Sequence, residues 1–139
     1  MAISQGMSIS FKRQVLLGDQ DFDANTFKLA LFTDAASLSS GTATYSTAAE
    51  VSGTGYSAGG NTLSIVTVAT DGSVGIVDVS NTAWTSSTFT ARGGLIYNSS
   101  KSNSAVAVLD FGGNKSVENG TFTIQFPVAA ATTAIIRLV

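Results

Sequence analysis

The chain contains no cysteine and no histidine. Without thiols there is no disulfide, no thiolate nucleophile and no cysteine zinc site. Without imidazole, the usual general base and the commonest metal ligand are missing, together with most nucleophilic triads. Charge is scarce as well. Lys, Arg, Asp and Glu make up 12% of the 139 residues, against about 25% in an average soluble domain. The seven basic residues are scattered, with only Lys12 and Arg13 adjacent, and the net charge is −2. A nucleic-acid binder needs clustered Lys and Arg, so none is expected here. No apolar run reaches the ~20 residues of a membrane helix. The N-terminus lacks the charged start and apolar stretch of a secretory signal, so the expectation is a chain made and used without crossing a membrane.

What remains is 44% apolar residues and a polar complement drawn mainly from Ser, Thr, Asn and Gly. So uncharged an exterior suggests that neighbouring chains cover part of it. The length suits one domain, residues 1–139.

Residues 8–17 (SISFKRQVLL) read as a short helix. Ser8 or Ser10 stands at its start, and Gly18 sits where a helix end favours positive φ. From residue 26 the period changes to two. TFKLALFT places Phe27, Leu29 and Leu31 on one face, as in a half-buried strand, and residues 34–49 read as a long loop with room for one helical turn. Residues 61–70 and 73–80 are β-branched runs flanking Asp71-Gly72, the strongest short hairpin signal. Further strands are expected at 88–97, interrupted by Gly93-Gly94 as a bulge or close approach, and at 104–111, ending at Gly112-Gly113. Two more are expected at 121–126, after a turn at Asn119-Gly120, and at 133–139. The lone Pro127 falls between strands, where its missing N–H costs no ladder bond. About eight strands with one early helix give an all-β chain, an antiparallel β-sandwich or jelly roll, because helical crossovers between strands are absent.

The chemical motifs have plainer explanations. Asp19, Asp21 and Asp23 open like a calcium loop, but the glycine and glutamate such a loop needs are Ala24 and Ala30, so a solvated turn with Asx bonds is expected. Residues 53–58 match a dinucleotide-binding glycine pattern formally, but a β-branched strand follows in place of the helix that would supply amides. Asp78 and Asp110 are strand carboxylates that nothing pairs as glycosidase acids require. Ser100-Lys101 is the remaining base-activated serine arrangement once histidine is gone. No catalytic residue, cofactor or metal is assigned.

Most aromatics, among them Trp84, Phe89, Tyr97, Phe111, Phe122 and Phe126, sit in or beside strands and belong to the core. Tyr45 and Tyr56 lie in loops outside any apolar alternation, where a rigid scaffold presents good contact residues. They and the neighbouring Gly53 and Gly55 are the candidate interface residues. For Tyr56, local packing is the competing explanation.

Several strings occur together in a familiar order: TFKLALFT from Thr26, EVSGTGYSAGGNTL from Glu50, TAWTSSTFTARGGLIY from Thr82, LDFGGNKS from Leu109 and GTFTIQF from Gly120. From about Val15 to Phe126 the chain resembles small virion structural proteins of tailed bacteriophages, of the capsid decoration (cement) type. The resemblance implies a β-sandwich or jelly roll without catalytic residues. It implies a subunit on the outer surface of the phage head, across seams between major capsid subunits. The major capsid protein is then the partner, self-association on the capsid accompanies it, and synthesis takes place in the host bacterial cytoplasm. A tail or tail-fibre component is the alternative, followed by a carbohydrate-binding module or a hydrolase relying on Asp78 or Asp110.

Overall fold

A computed structural model describes residues 2–139. In chain order the elements are β1 (Gly6–Met7), α1 (Ile9–Leu17), β2 (Phe27–Phe32), β3 (Asn61–Thr62), β4 (Ile65–Asp71), β5 (Val74–Val79), β6 (Thr82–Asn98), β7 (Ser104–Ile124) and β8 (Ile136–Leu138). They form two antiparallel sheets, one ordered β1-β7-β6-β2-β3 and the other β4-β5-β8. Val77, Val79 and Ile136 of the smaller sheet share one apolar cluster with Phe27, Leu29, Leu31, Ile96 and Val106 of the larger. The chain is thus the all-β sandwich its strand pattern implies.

α1 begins at Ser8 and ends at Gly18, whose φ of 77° lets its amide turn back toward Val15 O. The Ser8 side chain does not cap the helix. Its Oγ bonds Thr42 O at 2.8 Å instead, tying the helix start to the following loop. Phe11 is buried and, through Phe22, joins an aromatic stack on Phe27, where the Phe22 and Phe27 centroids lie 4.3 Å apart.

The hairpin of β4 and β5 turns at Gly72-Ser73. Gly72 has φ 62°, at the first loop position where a II′ turn needs it. β2 departs from the half-buried expectation. Phe27, Leu29 and Leu31 face the intersheet core, while Ala30 and Phe32 face a second cluster with Leu95, Tyr97 and Val108. That second face is covered by Ile3 and by Ala36 and Leu38 of residues 34–49, a loop without a helical turn.

The larger difference concerns β6 and β7, which pair as one long ribbon from Asn98↔Ser104 to Thr82↔Ile124. Gly112-Gly113 and Asn119-Gly120 do not end strands; Gly112-Gly113 and Asn119 sit in bulges, and Gly120 pairs with Ser87. Ala91 pairs Lys115 and Gly93 pairs Asp110, so residues 111–114 stand opposite Arg92 alone, with Gly112 at φ 80°. Asn119 (φ 49°) is the extra residue between the Ser87↔Gly120 and Phe89↔Val117 pairs. Bulges bend and twist the ribbon without ending its pairing. Gly93 and Gly94 combine both expectations. The register shifts beside Gly93, and a Cβ on Gly94 would lie 2.9 Å from Leu29 Cδ1.

Candidate functional site

The string EVSGTGYSAGG, the most distinctive in the sequence, folds as a loop that lies flat on the sheet. Gly53 rests on β6, where a Cβ would come within 2.5 Å of Thr88 O, and Gly55 (φ 82°) lies against Ser87. Thr54 bridges Thr88, whose amide donates to Thr54 O at 3.0 Å. Gly60 (φ 76°) lies against the Leu29 carbonyl. These glycines are needed because two backbones approach more closely than a Cβ permits.

Glu50 organises this loop. Its Oε1 accepts the Tyr45 hydroxyl at 2.6 Å. Its Oε2 accepts the Tyr56 hydroxyl at 2.6 Å and the Gly59 amide at 2.8 Å. Tyr56 Oη in turn accepts the Leu31 amide at 2.9 Å, so the loop and β2 share one oxygen. The Tyr97 hydroxyl donates to Gly59 O at 2.7 Å, and its ring stacks on Tyr45 with centroids 4.5 Å apart. Burial first, then the bond to Glu50, pushes the Tyr45 and Tyr56 hydroxyls well above the ordinary value of 10.0. Tyr97 is raised by burial and by the Glu50 charge. All three therefore stay protonated donors at neutral pH.

Of the four candidate interface residues, Gly53 and Gly55 are exposed, whereas Tyr45 and Tyr56 are half-buried with their hydroxyls turned onto Glu50. Tyr56 also packs near Trp84 and Phe89. Glu50, which sequence reasoning did not single out, joins the two tyrosines, while Gly53 and Gly55 rest on β6 at Thr88 and Ser87. The available signal was a lone acid between small residues in a chain with so few charges.

The other motifs are dispersed. Asp78 is on β5 and Asp110 on β7, in different sheets. Asp110 is held below the usual carboxylate range, first by the Gly112 amide and then by its ion pair with Arg92. It therefore remains ionised and is a poor general acid. Ser100 Oγ accepts the Thr26 amide at 2.8 Å. Asp21 Oδ1 accepts the amides of Asp23 and Ala24, forming the Asx turn expected there. Among the described residues no group of three His, Cys, Asp or Glu side chains is placed to hold a metal. No helix among them is long and apolar enough to cross a membrane.

Away from the loop, the open apolar surfaces among the described residues include β4 and α1. β4 is an edge strand whose residues after Ile65 are all exposed, with Val66 and Val68 at 59% and 54%. The outward side of α1 carries Ile9, Leu16 and Leu17.

No protein-family model, no curated protein and no solved structure matches the chain.

Proposed function

We propose that this chain is a non-enzymatic structural subunit that works by binding other protein surfaces, as a decoration (cement) protein on the outside of a tailed-phage head. The specific part of this reading stands on the resemblance of the Glu50, Thr82 and Leu109 strings. The observation that supports a binding role is β4. Antiparallel pairing with β5 uses alternate residues, so the N–H and C=O groups of the others face outward unpaired. The strand carries no lysine, no proline and a single charge at its end, Asp71, although lysine and proline are the usual protections of a free edge. An added strand would gain main-chain hydrogen bonds there and cover Val66 and Val68.

The scale is adequate. The molecule exposes 7000 Å², and a standard interface takes about 800 Å² from each partner. With so few charges, little desolvation opposes close contact. A glycan-binding face has less support, since such a face uses exposed aromatic rings. Every aromatic side chain here is buried or half-buried, Trp84 at 4% exposure.

The deciding experiment mixes purified protein with expanded, undecorated phage heads and reads bound copies per capsomer and heat resistance. Saturation at a fixed ratio, with heads surviving higher temperature, is the expected result. Binding confined to tails would reassign the subunit to the tail, and binding to neither would end the reading.

A further inference from the structure

α1 is apolar on two sides. Phe11 and Val15 belong to the main core. On the opposite side Ile9, Leu16 and Leu17 are 62%, 89% and 57% exposed. Their spacing puts them on one face with Lys12 and Arg13. The fold has no use for a leucine so exposed on a helix already anchored through its other face.

Beside the same helix, a crevice of about 130 Å³ opens between α1 and the three-stranded sheet. Phe11, Val15, Phe22 and Val77 line it, with Val68 and Leu138, both more than half exposed, among its apolar residues. The one polar side chain in the lining, Gln20, is fully engaged. Its amide nitrogen bonds Gln14 and Ser104, and its oxygen accepts Asn98. The crevice thus has nothing to offer a polar ligand. It is close in size to the ~150 Å³ apolar cavity that holds benzene, which is room for one aliphatic side chain.

Charge selects the occupant. Lys12 and Arg13 are exposed, and the one ion pair among the described residues is Arg92–Asp110, so neither is paired within the chain. Asp19, Asp21 and Asp23 are exposed and alternate with Gln20 and Phe22 of the crevice lining. One molecule therefore bears an apolar projection set among basic residues beside an apolar hollow with acidic neighbours.

We infer that two copies of this chain associate about a two-fold axis, each setting Leu16 into the crevice beside the other's α1 and packing Leu17 on its rim. Lys12 and Arg13 of one copy face Asp21 and Asp23 of the second. Because Leu16 directly follows the crevice residue Val15, projection and hollow are neighbours. A two-fold exchange uses both at once and closes, where widely separated ones would propagate a chain. The inference rests on the reading of this chain as a subunit that binds other chains, but it concerns the free protein.

The test is sedimentation equilibrium of the purified full chain over a wide concentration range. A monomer–dimer equilibrium is expected. Leu16→Glu and Leu17→Glu, both at exposed positions, should each weaken it roughly tenfold to a hundredfold while leaving circular dichroism, and the unfolding midpoint at concentrations where the chain is monomeric, unchanged. Arg13→Glu alone and Asp23→Arg alone should each weaken the dimer, and the two combined in one chain should restore it. A wild type that stays monomeric throughout, a dimer indifferent to Leu16→Glu, or a charge swap without rescue overturns the inference. Heads that fail to bind an intact dimer would sink only the capsid reading.

Discussion

The Tyr56 hydroxyl lies 2.6 Å from Glu50 Oε2 and 2.9 Å from the Leu31 amide, donating to the first and accepting from the second. One side chain thereby joins a glycine-rich loop to the most buried strand of the larger sheet. Such a bridge is worth more than an isolated surface bond because its loss leaves two groups short of a partner.

Tyr56→Phe should lower unfolding stability by about 1–3 kcal/mol, since it removes a bond to a charged acceptor and strands the Leu31 amide. Tyr45→Phe should cost less, because the ring keeps its stack on Tyr97 and the Gly59 amide beside its oxygen still has Glu50 Oε2 as acceptor. Urea unfolding of both variants checks the order. Equal costs would mean that the Leu31 bond contributes nothing.

The same tyrosines set an alkaline limit. Their folded pKa values lie above 10.0, the value expected of the unfolded chain. The unfolded state therefore releases protons first. The stabilisation is complete below about pH 10 and declines as pH climbs toward the raised folded values. Urea midpoints measured from neutral to strongly alkaline pH should fall on the alkaline side, and the fall should be shallower in Tyr56→Phe.

Where local chemistry decides structure, the sequence was readable. Asp71-Gly72 placed the β4–β5 hairpin to within one residue, the turn being Gly72-Ser73 with Asp71 paired to Val74. Gly18 placed the end of α1, and the alternation in TFKLALFT the strand β2. Where a distant segment decides, it was not. Gly112 and Asn119 carry the positive φ that serves a turn or a bulge equally well, and pairing with β6 makes them bulges. Tyr45 and Tyr56 break the apolar alternation and so read as loop contacts. Their acceptor is five or six residues away, but the Leu31 amide that completes the network is 25 residues away. The second buried face of β2 was hidden for the same reason, because the cover comes from a loop of small residues.

Glycine positions should divide sharply. At Gly60 the backbone has φ 76° and a Cβ would overlap the Leu29 carbonyl, so Gly60→Ala combines left-handed strain with a backbone clash. It should cost about 3 kcal/mol or more. Gly112 has a similar φ of 80°, but a Cβ there would meet no atom within 4 Å. Gly112→Ala should therefore cost only the conformational term, about 1–2 kcal/mol. Comparable losses in denaturant unfolding would show that contact with Leu29 is not what requires glycine at position 60.

The free edge of β4 offers a separation of stability from binding. Val66 is 59% exposed and is the extra residue where the β4–β5 register shifts between Ile65 and Thr67. Val66→Lys should leave unfolding stability within about 0.5 kcal/mol of wild type, as exposed substitutions usually do. It also puts on the strand the charged side chain that discourages edge pairing. Occupancy on expanded heads should therefore fall, while self-association through α1 should persist, because Val66 is not part of the apolar crevice. Undiminished occupancy would move the head contact away from β4. The exposed Gly53–Gly55 loop would then be the next surface to substitute.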